Sequence, residues 1–245
     1  FFILIFYTSY ERQIHLLEVE NRQVMLEKEL EVSRYLQLNQ QIQPHFLFNA
    51  LNSLLGLIRL KQYDRLSESF EHMVMYLRSK YTNKEPLYPL AKEISYTENY
   101  LEIQKLRFGY RLHVDWEVEE GLADSLIVPY LMQTLVENAF KHGLEMIEEE
   151  AYLSIKLCRD GAGVLLKVED NGPGFKLDLT EDGSADNKIG LLNLKRRLFL
   201  LFQDEAALIT KNRDDQGGAI VEVTWPLQMA VPEEKGGETD GGFVA

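Results

Sequence analysis

Leu135-Val136-Glu137-Asn138-Ala139-Phe140-Lys141-His142-Gly143 is the stretch whose reading decides the fold. Leu135, Val136, Ala139 and Phe140 recur as the buried side of a helix does, while Asn138, Lys141 and His142 lie three and four apart and share the other side. Gly143 suits the position just past a helix, so a helix is predicted from about Pro129 to His142. An amide oxygen on its polar side can take one Mg²⁺ position while phosphates and water fill the rest, and Lys141 adds positive charge beside it. Taken alone, the same pattern also describes an ordinary amphipathic helix with a solvated face.

Downstream, Tyr152–Leu157 and Val164–Asp170 alternate as strands around the turn Asp160-Gly161-Ala162-Gly163. The second strand ends in Asp170-Asn171-Gly172-Pro173-Gly174-Phe175. A carboxylate there can accept a hydrogen bond from an exocyclic amine such as adenine's, and the glycines allow close backbone approach. Asn-Gly and Pro-Gly are equally at home in a plain turn. Residues 176–188 are polar, contain Gly183, and read as a mobile loop. Ile189-Gly190-Leu191-Leu192-Asn193-Leu194-Lys195-Arg196-Arg197-Leu198 then opens a helix running to Phe202. Gly190 is expected at its mouth, where free N–H groups and the helix dipole favour phosphate. Ala207–Thr210 and Ala219–Trp225 are closing strands, and the tail after Pro232 is rich in Gly and acid.

Upstream, Leu112, Val114, Trp116 and Val118 alternate as a strand, preceded by a helix over 91–108 and a turn-rich segment over 83–89. Before these, Phe46, Leu47, Ala50, Leu51, Leu54, Leu55 and Ile58 form one amphipathic run, and Leu66, Phe70, Met73, Val74 and Leu77 form a second. A polar turn near Lys61–Asp64 makes them an αα-hairpin, whose apolar stripe predicts pairing of two copies into a four-helix bundle. Pro44 marks a bend or restart. Residues 11–43 hold no Gly or Pro; Ile14, Leu17 and Val24, then Met25, Val32 and Leu36, read as a coiled coil with a phase break. The wholly apolar Phe1–Tyr7 is too short to span a bilayer, and is expected to be the inner end of a longer transmembrane helix.

Composition narrows the function classes. The 245 residues carry a net charge of -13, which argues against a nucleic-acid surface. The single cysteine, Cys158, excludes an internal disulfide and a thiolate metal cage.

The order and spacing of these motifs carry a resemblance. The segment around Asn138 looks like the N box of the GHKL (Bergerat-type) ATP-binding fold, Asp170–Phe175 like its first glycine box, and Ile189–Leu198 like its second. Gln43-Pro44-His45-Phe46-Leu47-Phe48-Asn49-Ala50-Leu51-Asn52 is similar to the phospho-acceptor box of LytS-type sensor histidine kinases, and Glu98–Gly109 resembles the linker of that family. The likeness runs from about residue 38 to 226.

The resemblance implies an α+β chain: a helical hairpin forming a dimeric four-helix bundle, then a GHKL α/β sandwich. The expected division is 1–9, the end of a transmembrane helix; 10–43, a signalling coiled coil; 44–84, the dimerisation and phospho-acceptor hairpin; 85–110, a linker helix; 111–227, the ATP-binding domain; and 228–245, a disordered tail. It further implies ATP and Mg²⁺ as ligands, His45 as phospho-acceptor, and Asn138 as the residue that holds Mg²⁺. Lys141, His142 and Leu191 would line the nucleotide and Asp170 would read the adenine amine. Gly172, Gly174 and Gly190 would shape the pocket and hinge a lid over 176–188. The expected setting is the cytoplasmic side of a cell membrane, as a homodimer that passes phosphate to an Asp of a response regulator, with no nucleic-acid partner. The alternative is a catalytically weak ATP-binding module that signals through its dimeric helices.

Three departures from the pattern stand out. Phe46 follows His45 where commoner histidine kinases carry an acid, so the base for His45 is not evident. Thr134 stands where topoisomerase relatives place a water-activating Glu, which suits transfer to His rather than hydrolysis. Lys188-Ile189-Gly190 lacks the first Gly of the usual second box.

Overall fold

The structure, a computed structural model, describes residues 12–19, 22, 25, 44–82, 85–175, 185–214 and 217–230. The backbone at 12–19 is helical. The expected membrane-span end at 1–9, most of the expected coiled coil and the tail from 231 lie outside the described residues. Among the described residues, no helix is long and apolar enough to cross a membrane.

The chain opens with α1 (Pro44–Arg59) and α2 (Tyr63–Thr82). Proline at the first helical position sacrifices no hydrogen bond, because that N–H has no partner within the helix. Lys61, at φ 57°, makes the turn between the two helices where the sequence places it. There follow β1 (Tyr88–Pro89), α3 (Leu90–Phe108), β2 (Leu112–Val118), β3 (Leu126–Ile127), α4 (Leu131–His142), β4 (Ala151–Asp160), β5 (Gly163–Asp170), α5 (Ala185–Phe202), β6 (Ala207–Asn212) and β7 (Ala219–Pro226).

Five strands form one sheet in the order β2-β4-β5-β7-β6. Only its β2–β4 pair is parallel; the other pairs are antiparallel, as expected of strands joined by hairpins. Burial alternates along the strands: Leu153, Ile155 and Leu157 on β4, Val164, Leu166 and Val168 on β5, and Val221, Val223 and Trp225 on β7 are buried. The apolar face packs under α4 and α5, giving an α/β sandwich behind a helical hairpin. The period of two that buries Val164, Leu166 and Val168 also turns Asp170 toward the helices.

Two boundaries differ from the sequence reading. α5 starts at Ala185, four residues before the expected Ile189. Gly190 is therefore the sixth residue of the helix and not its mouth, which corrects the expectation that its own free N–H meets phosphate. The short β1–β3 ladder was not foreseen; two residues on each side carry no readable period.

The segment between hairpin and sheet is tied to α4 by a buried acid. Glu93 of α3 is fully buried and accepts hydrogen bonds from the backbone N–H of Tyr130 and of Gln133, both 3.0 Å, and from the Tyr88 hydroxyl. It thus caps the start of α4 from another helix, where Tyr130 adopts a left-handed φ of 62° and supplies no side-chain cap. Burial pushes the Glu93 carboxyl up to about 7, against the pull of those two N–H groups and of Lys80 and Arg197.

Candidate functional site

α4 and the end of β5 form the two walls of a cleft. Asn138, His142, Asp170, Gly174 and Leu191 all line it, with Leu135, Val168 and Phe175 supplying apolar surface. Of the remaining predicted residues, Lys141 is half-buried on the same turn of α4, and Gly172 lies in the loop beneath. Gly190 stands opposite Asn138: a methyl group there would come within 3.8 Å of the Asn138 amide. The proposed lid falls outside the described residues over 176–184.

The walls meet closely. A side-chain carbon on Gly172 would lie 2.3 Å from the Gly143 Cα, so the loop after β5 rests directly on the end of α4. Asp170 is buried, and its Oδ1 accepts the Gly172 N–H at 2.8 Å. Burial raises its carboxyl above the usual range, opposed by the N–H groups of Gly172 and Ala219 and by Arg213. Those donors favour the ionised form, which can accept a hydrogen bond from an amine in the cleft.

The Asn138 amide nitrogen is buried with no hydrogen-bond partner in the protein. A buried polar group left without a partner is costly, so this amide fits a site completed by a polar ligand. Among the described residues no cluster of His, Cys, Asp and Glu could hold a metal ion by itself. A single amide oxygen suits Mg²⁺, which keeps waters and takes substrate phosphates as ligands.

His45 lies outside the cleft. It projects from the first turn of α1 with 72% of its side chain exposed. The next residue, Phe46, is buried and stacks on Tyr100 at 5.1 Å, and Tyr100 in turn meets Phe140 of α4 edge-on at 5.6 Å. This aromatic ladder fixes α1 to α4, the helix that carries Asn138. A second link is the buried Lys80, whose Nζ donates to Glu137 Oε1 at 2.6 Å. The sequence reading missed both. The signal for the ladder was present, since Phe46, Tyr100 and Phe140 are buried apolar positions of their helices, but nothing in local spacing pairs residues 54 and 40 positions apart.

A family model described as Histidine kinase matches residues 33–112. The chain is similar to Sensor histidine kinase YesM of Bacillus subtilis, at 30% identity over 213 residues, covering 87% of this chain and 36% of that protein. It is likewise similar to Sensor protein LytS of Bacillus subtilis, at 29% identity over 233 residues, covering 92% and 38%. Among solved structures, the histidine kinase domain of the blue-light activated histidine kinase EL346 from Erythrobacter litoralis is 19% identical, covers 82% of this chain and 96% of that one, and has a TM-score of 0.42. The chain thus spans well under half the length of these two curated relatives. Motif order and the helical hairpin agree with the family model and with these curated relatives: the chain matches the Histidine kinase family over residues 33–112 and is similar to LytS-type sensor histidine kinases over most of its length.

Proposed function

We propose that this chain is the kinase end of a membrane-bound, homodimeric sensor of a two-component system, which transfers the γ-phosphoryl group of ATP to His45 and then to an Asp of a response regulator. The observation that carries the reading is the partnerless Asn138 amide nitrogen, a donor that suits a phosphate oxygen, near Gly190 in a cleft lined by the buried Asp170. Asp170 accepts the adenine amine, and Val168 and Leu135 pack the ring plane. His142 and Lys141 attend the phosphates, Leu191 closes the cleft, and Gly172 and Gly174 keep it open to the nucleotide. Mg²⁺, held by the Asn138 oxygen, neutralises phosphate charge when bound. A ring nitrogen of His45 forms a bond to the γ-phosphorus while the bond to the departing ADP oxygen breaks. The exposure of His45 suits an acceptor that must meet two partners in turn, the nucleotide and the regulator.

Dimerisation has support in α1 itself. Phe46, Ala50, Leu54 and Leu57 are buried within the chain, yet Phe48, Leu51, Leu55 and Ile58 form an exposed stripe on the same helix. Phe70 and Val74 of α2 are exposed as well. A second copy would cover such a face. The division of the chain into span, coiled coil, hairpin, linker, ATP-binding domain and tail belongs to this proposal.

Incubation with γ-labelled ATP and Mg²⁺ tests it. Acid-labile label is expected on the wild type and on neither His45→Ala nor Asn138→Ala, with His45→Ala still binding nucleotide. Label persisting on His45→Ala would remove His45 from the role. ATP binding without label on any variant would favour the non-catalytic signalling module.

A further inference from the structure

An imidazole that attacks phosphorus must lose a proton, and α1 offers it no help: residues 44–59 contain no Asp or Glu. The position after His45 is occupied by Phe46, which is committed to the aromatic ladder. A carboxylate nevertheless stands beside the ring. Glu145 Oε2 is 3.9 Å from His45 Nδ1. Glu145 belongs to the 3-10 turn Leu144–Met146, which directly follows α4. Its other oxygen, Oε1, accepts from Arg107 Nη1 at 2.5 Å, so the side chain is anchored by α3 and directed at His45. Both Glu145 and Arg107 are largely shielded, at 19% and 22% exposure, which distinguishes this pair from a solvated surface contact. The Asn49 amide nitrogen lies 3.3 Å from Nδ1 and 3.2 Å from Nε2 of the same ring. The ring is therefore contacted by an amide on its own helix and faced at Nδ1 by a carboxylate that directly follows α4.

We propose that Glu145 is the positioning residue for His45, acting within the same chain. A closure of about 1 Å brings Oε2 into hydrogen-bond range of Nδ1. The carboxylate then selects the tautomer that carries its proton on Nδ1 and its lone pair on Nε2. Nε2 forms the N–P bond, the electron pair of the broken P–O bond leaves with ADP, and the Nδ1 proton of the resulting imidazolium passes to Glu145 and on to water. The missing acid of the acceptor helix is thus supplied by the other domain, and only when α1 is docked on it. Docking through Phe46, Tyr100 and Phe140 and competence of His45 become one event. The inference rests on the proposed kinase reading.

The test compares initial self-labelling rates against ATP concentration for the wild type, Glu145→Gln, Glu145→Asp and Arg107→Met. Glu145→Gln is expected to lower the saturating rate about 10²-fold or more, as loss of a proton acceptor does, with KM for ATP unchanged. Glu145→Asp should recover part of the rate. Arg107→Met, which releases the anchor but keeps the carboxylate, should lose less than Glu145→Gln. Mixing Glu145→Gln chains with His45→Ala chains should not raise labelling above that of Glu145→Gln alone. Wild-type rates in Glu145→Gln, or a loss confined to KM, would overturn the role while leaving the kinase intact. Restored labelling in the mixture would overturn the same-chain arrangement. An unlabelled wild type would instead defeat the kinase reading itself.

Discussion

The cleft and α1, which carries His45, are built on opposite terms. The cleft is buried and its backbone is locked: Gly172 lies on Gly143, and Asp170 is held by the Gly172 N–H. His45 is exposed, and its placement depends on side chains from three other helices. On the proposed function, binding would be fixed by local backbone geometry, whereas transfer would be contingent on how the hairpin sits. In a sensor of the proposed kind, a signal arriving through helices could then alter the rate of transfer without rebuilding the nucleotide site. The difference can be broken from either side.

The largest effect is expected from Phe46→Ala. Phe46 meets Tyr76 at 5.0 Å and Tyr100 at 5.1 Å, and truncating a buried Phe costs about 3–5 kcal/mol. The loss should fall on the docked hairpin. Self-labelling should collapse while ATP affinity is retained, as read by labelling rate and nucleotide titration on the same preparation. Equal losses of both would show that the two regions are not separable in this way.

Glu93 sharpens the comparison from the cleft side, because it caps α4 at the end opposite His142. Its carboxyl is raised from 4.5 in the unfolded chain to about 7 in the fold. The folded state therefore holds this proton more tightly than the unfolded state. Stability from the protonated acid is fully present below about pH 4.5 and is lost as pH rises through about 7. The span corresponds to roughly 3 kcal/mol. The difference in denaturant stability between wild type and Glu93→Gln should change across that window in this direction and level off above it. A flat difference would mean that Glu93 does not titrate there.

Much of this architecture was legible in the sequence, and the reasons are specific. Val164, Leu166 and Val168 alternate, so the strand and the inward direction of Asp170 follow from a period of two. Leu135, Val136, Ala139 and Phe140 define the buried side of α4 and so the side on which Asn138 must lie. The contacts of Glu145 with His45, Glu93 with Tyr130 and Gln133, and Lys80 with Glu137 were not legible. Each joins residues 37 to 100 positions apart through exposed-looking charges, and no local period encodes such a meeting. Burial of Glu93 and Lys80 is a property of the assembled helices, not of their own segments.

Gly190 yields the smallest and most discriminating effect. At the sixth position of α5 its N–H lies within the body of the helix, so an anion site at a free helix end does not explain a glycine there. Its neighbourhood does. Among the described residues, an added methyl would meet only the Asn138 amide, at 3.8 and 3.9 Å, which is ordinary contact distance. Gly190→Ala should therefore be accommodated without ligand, and should stabilise α5 by about 0.5–1 kcal/mol, the usual helix preference of Ala over Gly. The methyl would, however, fill the gap through which Asn138 reaches its ligand. Thermal stability should rise slightly while affinity for ATP–Mg²⁺ falls. A variant that gains stability and keeps full affinity would mean that the space beside Asn138 is not used by the nucleotide.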